Sequence, residues 1–446
     1  MVDATPFLPG LSPVQGKAVV ARFDGGRLSS EGGLLVLREI ERRLGLADRL
    51  AGCLRDPRMP EKVVHRLAEI IRFRLLMIAA GYEDGNDAGA LRVDPMFKLA
   101  LDRLPSGEDL CSQSTISRLE NLPDLGALLH LGRALVEQYC GSFRVVPKRI
   151  VLDIDDTFDR VHGGQQLRLF NAYYDDYGFQ PIVVFDGEGR FVTALLRPGK
   201  RPSGVEIRSF VRRLVGAIRA HWPKVEILLR ADSHYSAPEV FDWCRANRVD
   251  WIFGLAPNVA LSRHVAALEK STAARFKAAP IRGKVRRFTQ FYDAAERWNR
   301  VERIIARVEA GPEGADTRFI VTNLEAGRAK HLYERLYCAR GQAENHIKAW
   351  KNHLAADRTS CHTAEANQFR LFLHAGAYWL LWSMRRVMPK RSVWRAVQFD
   401  TLRLRLIKLA ARVVELKTQI KIHLPSSAPD QAVFAMFLAR LPRLVT

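Results

Sequence analysis

The sequence lacks any pair of cysteines close enough to form a metal-binding or redox motif. None of its six cysteines belongs to a C-x-x-C pair, and they are spread over the whole chain: Cys53, Cys111, Cys140, Cys244, Cys338 and Cys361. Zinc modules and disulfide-rich secreted folds need clustered or regularly spaced cysteines. The spacing therefore disfavours both classes and indicates a protein of a reducing cytoplasm.

Long apolar runs are absent too. The most apolar stretches, residues 75–80 and 378–382, are far shorter than the roughly 20 residues that a membrane helix needs. Residues 1–16 show no basic segment followed by an apolar run, which is the pattern of a secretory signal. The sequence therefore predicts an intracellular protein with no membrane partner.

Acidic residues are few relative to basic ones. Lys and Arg total 69 against 48 Asp and Glu, which gives a formal charge of +21 and an isoelectric point near 10.1. A positive field attracts polyanions, and nucleic acid is the commonest large one. The chain of 446 residues is 48% hydrophobic, enough for two or three folded domains. Composition thus predicts a nucleic-acid-binding protein without distinguishing an enzyme from a passive binder.

Residues 1–145 are predicted to form a helical N-terminal DNA-binding region. Apolar residues recur at helical spacing over residues 34–44 and again over residues 63–78. The segment Ser112–Glu120 begins with cap-type residues and continues amphipathically, as a short recognition helix does. Arg118 is its candidate DNA contact, and an ordinary packed helix is the alternative.

From residue 149 onward, strand patterns alternate with helical ones, which indicates an α/β fold. Strands are predicted at residues 150–154, 180–185, 191–196 and 225–229, with helices at residues 205–221 and 238–247. We therefore predict a mixed-sheet core in two parts, residues 146–258 and 329–390, the second of them helical.

Between the two parts of the core, residues 259–328 are predicted to form a β-rich insertion. Its strand-like pieces cover residues 285–292, 301–309 and 317–323. Residues 391–446 form a C-terminal region, in which apolar and basic residues alternate over Leu402–Leu406. As a strand, that run would place Arg403 and Arg405 on one face.

Two apolar runs end in acids. In Val151–Thr157, Asp153 and Asp155 fall on the same strand face and Asp156 on the other, because side chains alternate along a strand. A second run, Ile227–Ala231, is followed by Asp232. Strand ends are rigid places for metal ligands, although each acid taken singly could cap a turn instead.

A third acid stands on a predicted helix. Tyr337, Arg340, Glu344, Lys348 and Lys351 are separated by three or four residues, so they share one helical stripe. A neighbouring stripe is apolar: Leu336, Ala339, Ala343, Ile347, Trp350 and Leu354. An acid flanked by basic residues can hold a cation while the basic residues hold phosphates. Ordinary salt bridges on an exposed helix would explain the charges but not the tyrosine.

These motifs resemble those of bacterial insertion-sequence DDE transposases. Tyr337, Arg340, Glu344 and Lys351 match the Y-(2)-R-(3)-E-(6)-K signature of that group. Asp155–Thr157 resembles its first-Asp motif and Arg230–Ser233 its second. Further motifs resemble the insertion-sequence 1380-type branch, and with them the resemblance covers residues 20–380: Ser29–Leu34, Gly81–Asp87, Leu91–Pro95, Ser117–Asn121, His162–Gln165 and Arg340–Glu344.

The resemblance implies an RNase H-like catalytic core, in which Asp155, Asp232 and Glu344 bind Mg²⁺, with Mn²⁺ as a substitute. Asp155 is favoured over Asp153 as first ligand because it precedes x-Thr, as the family's Asp does. The resemblance also implies that Tyr337, Arg340, Lys348, Lys351 and Trp298 contact DNA. In related enzymes an aromatic residue of the insertion stacks on a flipped base, whereas a Trp298 packed in the insertion's own core is the alternative.

By the same resemblance, the protein cuts and rejoins double-stranded DNA by a cut-and-paste route. Its DNA partners would be the terminal inverted repeats of a mobile element and a target site. The resemblance further implies a homodimer in the DNA complex and a bacterial cytoplasm, with association to the nucleoid through DNA.

Three other readings remain open on the sequence. Asp153-x-Asp155-x-Thr157 also resembles the start of haloacid-dehalogenase-like phosphatases, although the later acidic motif of that class is missing. A catalytically silent transposase acting as a DNA-binding repressor is a second possibility. An RNase H-like nuclease that cuts without rejoining is the third.

Overall fold

The computed structural model describes residue 8, residues 10–278 and residues 283–444. The chain divides into two compact units. One contains the residues up to Leu119 together with Leu380–Leu444, and the other contains Glu120–Trp379. Among the described residues, no helix is long and apolar enough to cross a membrane.

The N-terminal part of the first unit is helical, as predicted. Its elements are β1 (Leu28–Ser29), α1 (Leu34–Leu44), α2 (Leu46–Ala51), α3 (Leu67–Ala80), α4 (Ala88–Leu91), α5 (Pro95–Ala100) and α6 (Gln113–Glu120). The apolar residues of α1 are buried at helical spacing, and Gly45 ends the helix at φ 59°, which glycine adopts without strain. The second apolar run becomes helical only at Leu67, because Arg66 is extended, and Val64 is exposed.

The second unit carries most of the strands. They are β2 (Arg149–Asp156), β3 (Asp159–Arg160), β4 (Leu169–Asn171), β5 (Asp176–Phe179), β6 (Ile182–Asp186), β7 (Phe191–Leu195), β8 (Glu226–Ala231), β9 (Val249–Leu255), β10 (Val285–Asp293), β11 (Glu302–Gly311) and β12 (Gly314–Thr322). The strands expected near residues 150, 182, 191 and 226 are thus present. The sequence reading missed β9 and the short strands β3, β4 and β5.

The helices of this unit connect and cover the strands. They are α7 (Leu125–Gly141), α8 (Gly204–His221), α9 (Pro238–Ala246), α10 (Val259–Ala278), α11 (Ala329–His331), α12 (Gly341–Lys351) and α13 (Ala364–Val387), whose last turns belong to the other unit. A capping box starts α8, because Ser203 and Glu206 each accept a hydrogen bond from the other's backbone N–H. The two helices predicted after residues 204 and 237 are present.

Eight of the strands form one mixed sheet in the order β10-β11-β12-β9-β8-β2-β6-β7. β2, β8 and β9 are parallel neighbours, and every other neighbouring pair in the sheet is antiparallel. β2 and β8 therefore point their carboxyl ends to the same edge, with Asp153 paired to Arg230. This register brings Asp155 and Asp232, two residues further along each strand, to the same level.

The β-rich segment at residues 259–328 differs from its prediction in two ways. It opens with the 20-residue helix α10, which the sequence reading did not predict. Its three strands then extend the main sheet through pairing of β12 with β9, rather than building a sheet of their own. The sequence pattern predicted the three strands. It could not predict that β12 pairs with β9, because that pairing forms only in the folded chain.

A small three-stranded sheet, β3-β5-β4, stands apart from the main sheet within residues 159–179. It follows directly on the end of β2, with Asp159 paired to Phe179 and Phe170 to Tyr177. The short segment between β2 and β3 therefore connects this small sheet to the edge that carries the acids.

The C-terminal region completes the first unit with α14 (Phe399–Leu402), β13 (Ala411–Glu415), β14 (Ile420–His423) and α15 (Gln431–Arg440). β13 pairs with both β14 and the N-terminal β1. The alternation at Leu402–Leu406 does not form a strand: residues 403–407 are a π-helical turn that buries Leu402 and Leu406. An i, i+4 pair of leucines fits a helix as well as a strand, and packing selected the helix.

Candidate active site

Asp155 lies near the end of β2 and is mostly enclosed, with 15% of its side chain exposed. Its Oδ2 accepts a 2.8 Å hydrogen bond from Nη1 of Arg340. Burial raises the pKa of Asp155 to about 7; Arg340 opposes this, and the neighbouring carboxylates of Asp232 and Asp156 add to it. The carboxylates thus lie close enough to repel one another, which is a condition that a bound cation relieves.

Asp153 is held in a buried ion pair. Nε and Nη2 of Arg230 donate to its two oxygens, both at 2.7 Å, and Nη1 of Arg230 donates to the carbonyl of Leu336 at 2.8 Å. Both side chains are almost completely buried. Both Asp153 oxygens are engaged by the guanidinium of Arg230, which also joins the sheet to the segment that leads into α12. Asp155 is therefore the better placed of the two as a metal ligand.

Asp232 caps the turn that follows β8. Its Oδ1 accepts a 2.8 Å hydrogen bond from the backbone N–H of His234, and 30% of its side chain is exposed. Nδ1 of His234 lies 3.7 Å from Oδ2 of Asp232 and 4.0 Å from Oδ1 of Asp156. Asp232 therefore caps the turn, which was one of the roles that the sequence allowed. Only its Oδ1 is used for the cap, and its Oδ2 lies near the imidazole of His234.

Asp156 has different partners from Asp155, as strand alternation predicts. Its carboxylate accepts hydrogen bonds from Nε2 of Gln180 and, at 3.3 Å, from the hydroxyl of the buried Tyr235. Asp156 and His234 are the members of the site to which the sequence reading gave no function. The only available signal was their position directly beside Asp155 and Asp232.

The third acid lies on a helical segment that changes its winding. α11 leads into a π-helical turn at residues 332–337, a 3₁₀ turn at residues 338–340 and then α12. A π-turn inside a helix is frequent at functional sites. The predicted stripe is therefore not one regular α-helix, and Ala339 of the predicted apolar stripe is exposed.

This helical segment is anchored along the main sheet. Leu332 and Tyr333 join a buried cluster with Leu228 and Ile252 of the sheet. Further along, the rings of α12 and the sheet meet in two pairs: Trp350 with Phe191 at 5.5 Å between centroids, and His346 with Phe185 at 5.6 Å. His346 thus packs against the sheet.

Tyr337 lies over β9, next to Asp232. A Cβ atom at Gly254 would stand 2.7 Å from the Tyr337 hydroxyl oxygen and 2.9 Å from the backbone nitrogen of Ser233. Burial raises the pKa of Tyr337, whereas Arg340 lowers it. Gly254 is therefore the residue that allows Tyr337 and the Asp232 turn to approach the same point of the sheet.

Arg340 links the acids. Its guanidinium contacts Asp155 and also approaches Oε1 of Glu344 at 3.6 Å. Glu344 itself faces solvent, with 67% of its side chain exposed. The structure thus brings Asp155, Asp232 and Arg340 together and places Glu344 at the rim of the site.

The other predicted DNA contacts have different surroundings. Lys348 is exposed on α12. The Lys351 ammonium donates to the carbonyl of Phe158 and to Thr157 Oγ1, and it lies 3.2 Å from Asp159 Oδ1. Lys351 therefore ties α12 to the segment after β2 in this conformation.

Trp298 does not lie with the acids. Trp298 follows β10 at the end of the sheet opposite to Asp232, as the pairing of Thr322 with Ile252 and with Arg303 shows. Its ring packs edge-on against Phe241, 5.4 Å between centroids, so Trp298 is packed, but against α9 and not within the insertion itself. Arg118 is exposed on α6, in the other unit.

The donor set fits a divalent cation such as Mg²⁺, because carboxylate oxygens are the ligands it prefers. A cation would bind between Asp155 and Asp232, each of which lies beyond the paired residues Asp153 and Arg230 on adjacent parallel strands. Among the described residues, however, no three His, Cys, Asp or Glu side chains are already gathered around one point. Asp155 and Asp232 would hold the ion, and Glu344 would join them from the rim.

A carboxylate-rich edge next to an arginine, in a protein of strong positive charge, defines a candidate site for metal-dependent chemistry on nucleic acid. Residues 11–446 match the family model described as Transposase DDE domain group 1. The match covers nearly the whole chain, and the protein therefore belongs to this family of DDE transposases. Membership implies an enzyme that cuts and transfers DNA strands.

The other comparisons add little. One similar solved chain belongs to a cryo-EM structure of a piggyBac transposase synaptic complex with hairpin DNA. The two chains share 8% identity over 90% of this chain and 88% of the other, with a TM-score of 0.36, too low to support an argument. No curated protein matches the sequence.

Proposed function

We propose that the protein is a cut-and-paste DNA transposase of the insertion-sequence 1380-type branch, built on an RNase H-like core. The observation that carries the proposal is the meeting of Asp155 and Asp232 at the ends of adjacent parallel strands, with Arg340 and Glu344 beside them. The strand order β7-β6-β2-β8-β9, three antiparallel strands followed by two parallel ones, supports the RNase H-like assignment.

Asp155, Asp232 and Glu344 are the proposed ligands of Mg²⁺, for which Mn²⁺ can substitute. When bound, the metal supplies a Lewis acid that activates the attacking hydroxyl and neutralises charge on the phosphate. DNA phosphates would compete with Asp155 and Glu344 for the Arg340 guanidinium. That exchange would release Glu344 from Arg340 and allow it to turn toward the other two acids.

The proposed reaction uses two kinds of in-line displacement: hydrolysis that frees both strands at each element end, and transfer of the freed 3′ end to the target. Water attacks a phosphodiester at the element end, a P–O bond breaks, and the leaving 3′ oxygen takes up a proton. The 3′ hydroxyl then attacks a target phosphodiester, so one phosphodiester bond forms as another breaks. Tyr337, Arg340, Lys348 and Lys351 are the proposed contacts to the DNA backbone near the cut.

The remaining parts of the proposal concern binding. Terminal inverted repeats and target DNA are the proposed partners, bound by a homodimer in the bacterial cytoplasm, with Arg118 on α6 as one N-terminal contact. Trp298 is also proposed to contact DNA. To do so, its ring would have to move away from Phe241, against which it packs. The phosphatase alternative loses its nucleophile, because both Asp153 oxygens are held by Arg230.

The experiment places a marker between the native flanks of the gene on a plasmid and supplies the protein separately. Excision is scored for wild type, for Glu344→Gln and for Glu226→Gln, a control at the opposite end of the strand that precedes Asp232. Purified proteins are then compared with and without Mg²⁺. We expect excision from wild type and the control only, and only with Mg²⁺.

Other outcomes select other functions. Excision by Glu344→Gln would refute the site assignment. DNA that is bound and never cut would favour a repressor, and DNA that is cut but never joined to a target would favour a nuclease. Hydrolysis of small phosphate esters without DNA binding would revive the phosphatase reading.

A further inference from the structure

Exposed aromatic side chains are concentrated in residues 158–179, which we call the aromatic arm. It comprises the small sheet and its loops, and Tyr173 is the most exposed of its rings, with 87% of the residue accessible. Phe170, Tyr174 and Tyr177 are also exposed. These rings are exposed, so they do not serve to fill the protein core. A concentration of exposed aromatic rings in one short segment marks an interaction surface.

The rings are held in place rather than loose. Phe158 and Tyr174 are stacked, with centroids 4.4 Å apart and planes 8° from parallel, and Tyr173 meets Tyr174 edge-on at 4.9 Å. Gly178 leaves the room that Phe158 needs, since a Cβ there would lie 2.5 Å from its ring. The arm therefore presents a preformed aromatic surface on which Tyr173 is the most exposed ring.

This stack lies beside the acids. Phe158 is three residues beyond Asp155, and its carbonyl accepts a hydrogen bond from Lys351. Because Tyr174 stacks on Phe158, the stack is attached to the segment that directly follows β2 and Asp155. A molecule that reacts at Asp155 would extend onto the arm.

One arginine lies directly against the rings. The guanidinium of Arg168 lies over Tyr177, 4.7 Å from the ring centroid, whereas Arg160 on β3 is ion-paired with Asp176 at 2.5 Å. Flat faces interleaved with arginine are suited to nucleotides, which pair a flat base with an anionic phosphate. A protein partner would need no such alternation, and the net charge of +21 favours a polyanion.

We propose that the aromatic arm binds unpaired nucleotides next to the scissile phosphate, with bases stacking on Tyr173 and Tyr174. The inference deepens the proposed function and rests on it. Paired bases in duplex DNA hide their faces within the stack, so the arm selects strands that are already open or that open on binding. The arm would hold the DNA end while the acids act on the adjacent phosphodiester.

The test uses a single-stranded 12-nucleotide DNA containing one 2-aminopurine, whose fluorescence falls on stacking, and a duplex of the same length. Wild type is compared with Tyr173→Ala/Tyr174→Ala, with Tyr173→Phe/Tyr174→Phe, and with Tyr292→Ala, an exposed tyrosine on β10. We expect the double alanine variant to bind the single strand at least about tenfold more weakly and to lose the quenching. The phenylalanine and Tyr292 variants should stay within about twofold of wild type, because stacking needs the ring and not the hydroxyl.

Several results would overturn the inference. Equal single-strand binding by the double alanine variant would remove the arm from DNA recognition, and a parallel loss of duplex binding would indicate a general backbone contact. If the double alanine variant binds DNA like wild type but differs from it in oligomeric mass in solution, the arm is an interface between protein chains. If the alanine variant still excises the marker normally, the arm inference fails while the transposase proposal stands. If wild type binds neither DNA, both fail.

Discussion

The ammonium of Lys351 lies 3.2 Å from a carboxylate oxygen of Asp159, a side chain almost completely shielded from solvent. The same ammonium contacts Thr157 and Phe158, so one lysine fixes α12 to the segment that leaves Asp155. Lys351 thus has a structural partner, Asp159, that lies outside the helical stripe from Tyr337 to Lys351.

Replacing Lys351 with Met should destabilise the protein in a pH-dependent way. Burial raises the pKa of Asp159 to about 7 and Lys351 opposes the rise, so removing the ammonium raises this pKa further. At pH 8 the wild-type carboxylate is charged and paired with Lys351, whereas in the variant it takes up a proton at a pH about one unit above the wild-type pKa, which should cost about 1–2 kcal/mol of unfolding free energy. At pH 5 it is protonated in both proteins, so the difference should shrink.

Urea unfolding at pH 5 and pH 8 measures this difference. Lys348→Met, one turn earlier on the same helix and exposed, is the control and should change stability by less than about 0.5 kcal/mol. An equal loss at both pH values would show that Lys351 stabilises by packing and not through Asp159.

Replacement by Asn should mainly reduce stability at Asp153 and mainly abolish excision at Asp155. Asp153→Asn leaves the buried Arg230 without its counter-ion and should cost about 3–5 kcal/mol of stability. Asp155→Asn removes a carboxylate whose pKa is raised to about 7, so the fold should survive while excision is lost. Thermal unfolding and the excision assay together check this, and a stable, inactive Asp153→Asn protein would make Asp153 the first ligand.

Arg340→Ala should bind Mn²⁺ more tightly than wild type in the absence of DNA. The guanidinium contacts Asp155 and Glu344, and it competes with a cation for both carboxylates. Removing one unit charge at this range should tighten binding roughly tenfold, whereas excision should fall because a phosphate contact is lost. Electron paramagnetic resonance of free Mn²⁺ measures the affinity, with Arg335→Ala as an exposed control. Unchanged or weaker binding would argue against a metal between these acids.

Gly254→Ala should impair excision far more than it destabilises the fold. The new methyl group would force Tyr337 and the Asp232 turn away from β9, at a cost of about 1–3 kcal/mol in stability. We expect excision to fall more than about tenfold, because displaced ligands lose their geometry. Gly216→Ala, on an exposed face of α8 with open space around it, should stabilise slightly and leave excision unchanged.

A second replacement identifies the cause of that loss. Tyr337→Phe removes the atom nearest to the new methyl group, so the double variant Gly254→Ala/Tyr337→Phe should recover part of the excision lost by Gly254→Ala alone. The comparison is made with Tyr337→Phe in the native background. No recovery would place the damage in the backbone of the Asp232 turn instead.

Local patterns predicted the elements that hold the first two acids. β2 and β8 are apolar runs followed by carboxylates, and a strand is a local structure whose side-chain alternation can be read directly. The spacing from Tyr337 to Lys351 also predicted a helical segment, and these residues are helical. The change to π and 3₁₀ winding at residues 332–340 was not readable, because it depends on how the segment packs on the sheet.

The sequence by itself determined the positive charge, the apolar strands, the carboxylates at their ends and the motifs that identify the family. Only the tertiary structure decided that Arg230 pairs with Asp153 and Arg340 with Asp155. It also decided where Trp298 and the aromatic arm lie. Charge and periodicity are properties of residues near one another in the chain. Ion pairing, burial and ring stacking join residues such as Asp155 and Arg340 across 185 positions, so they exist only once the chain has folded.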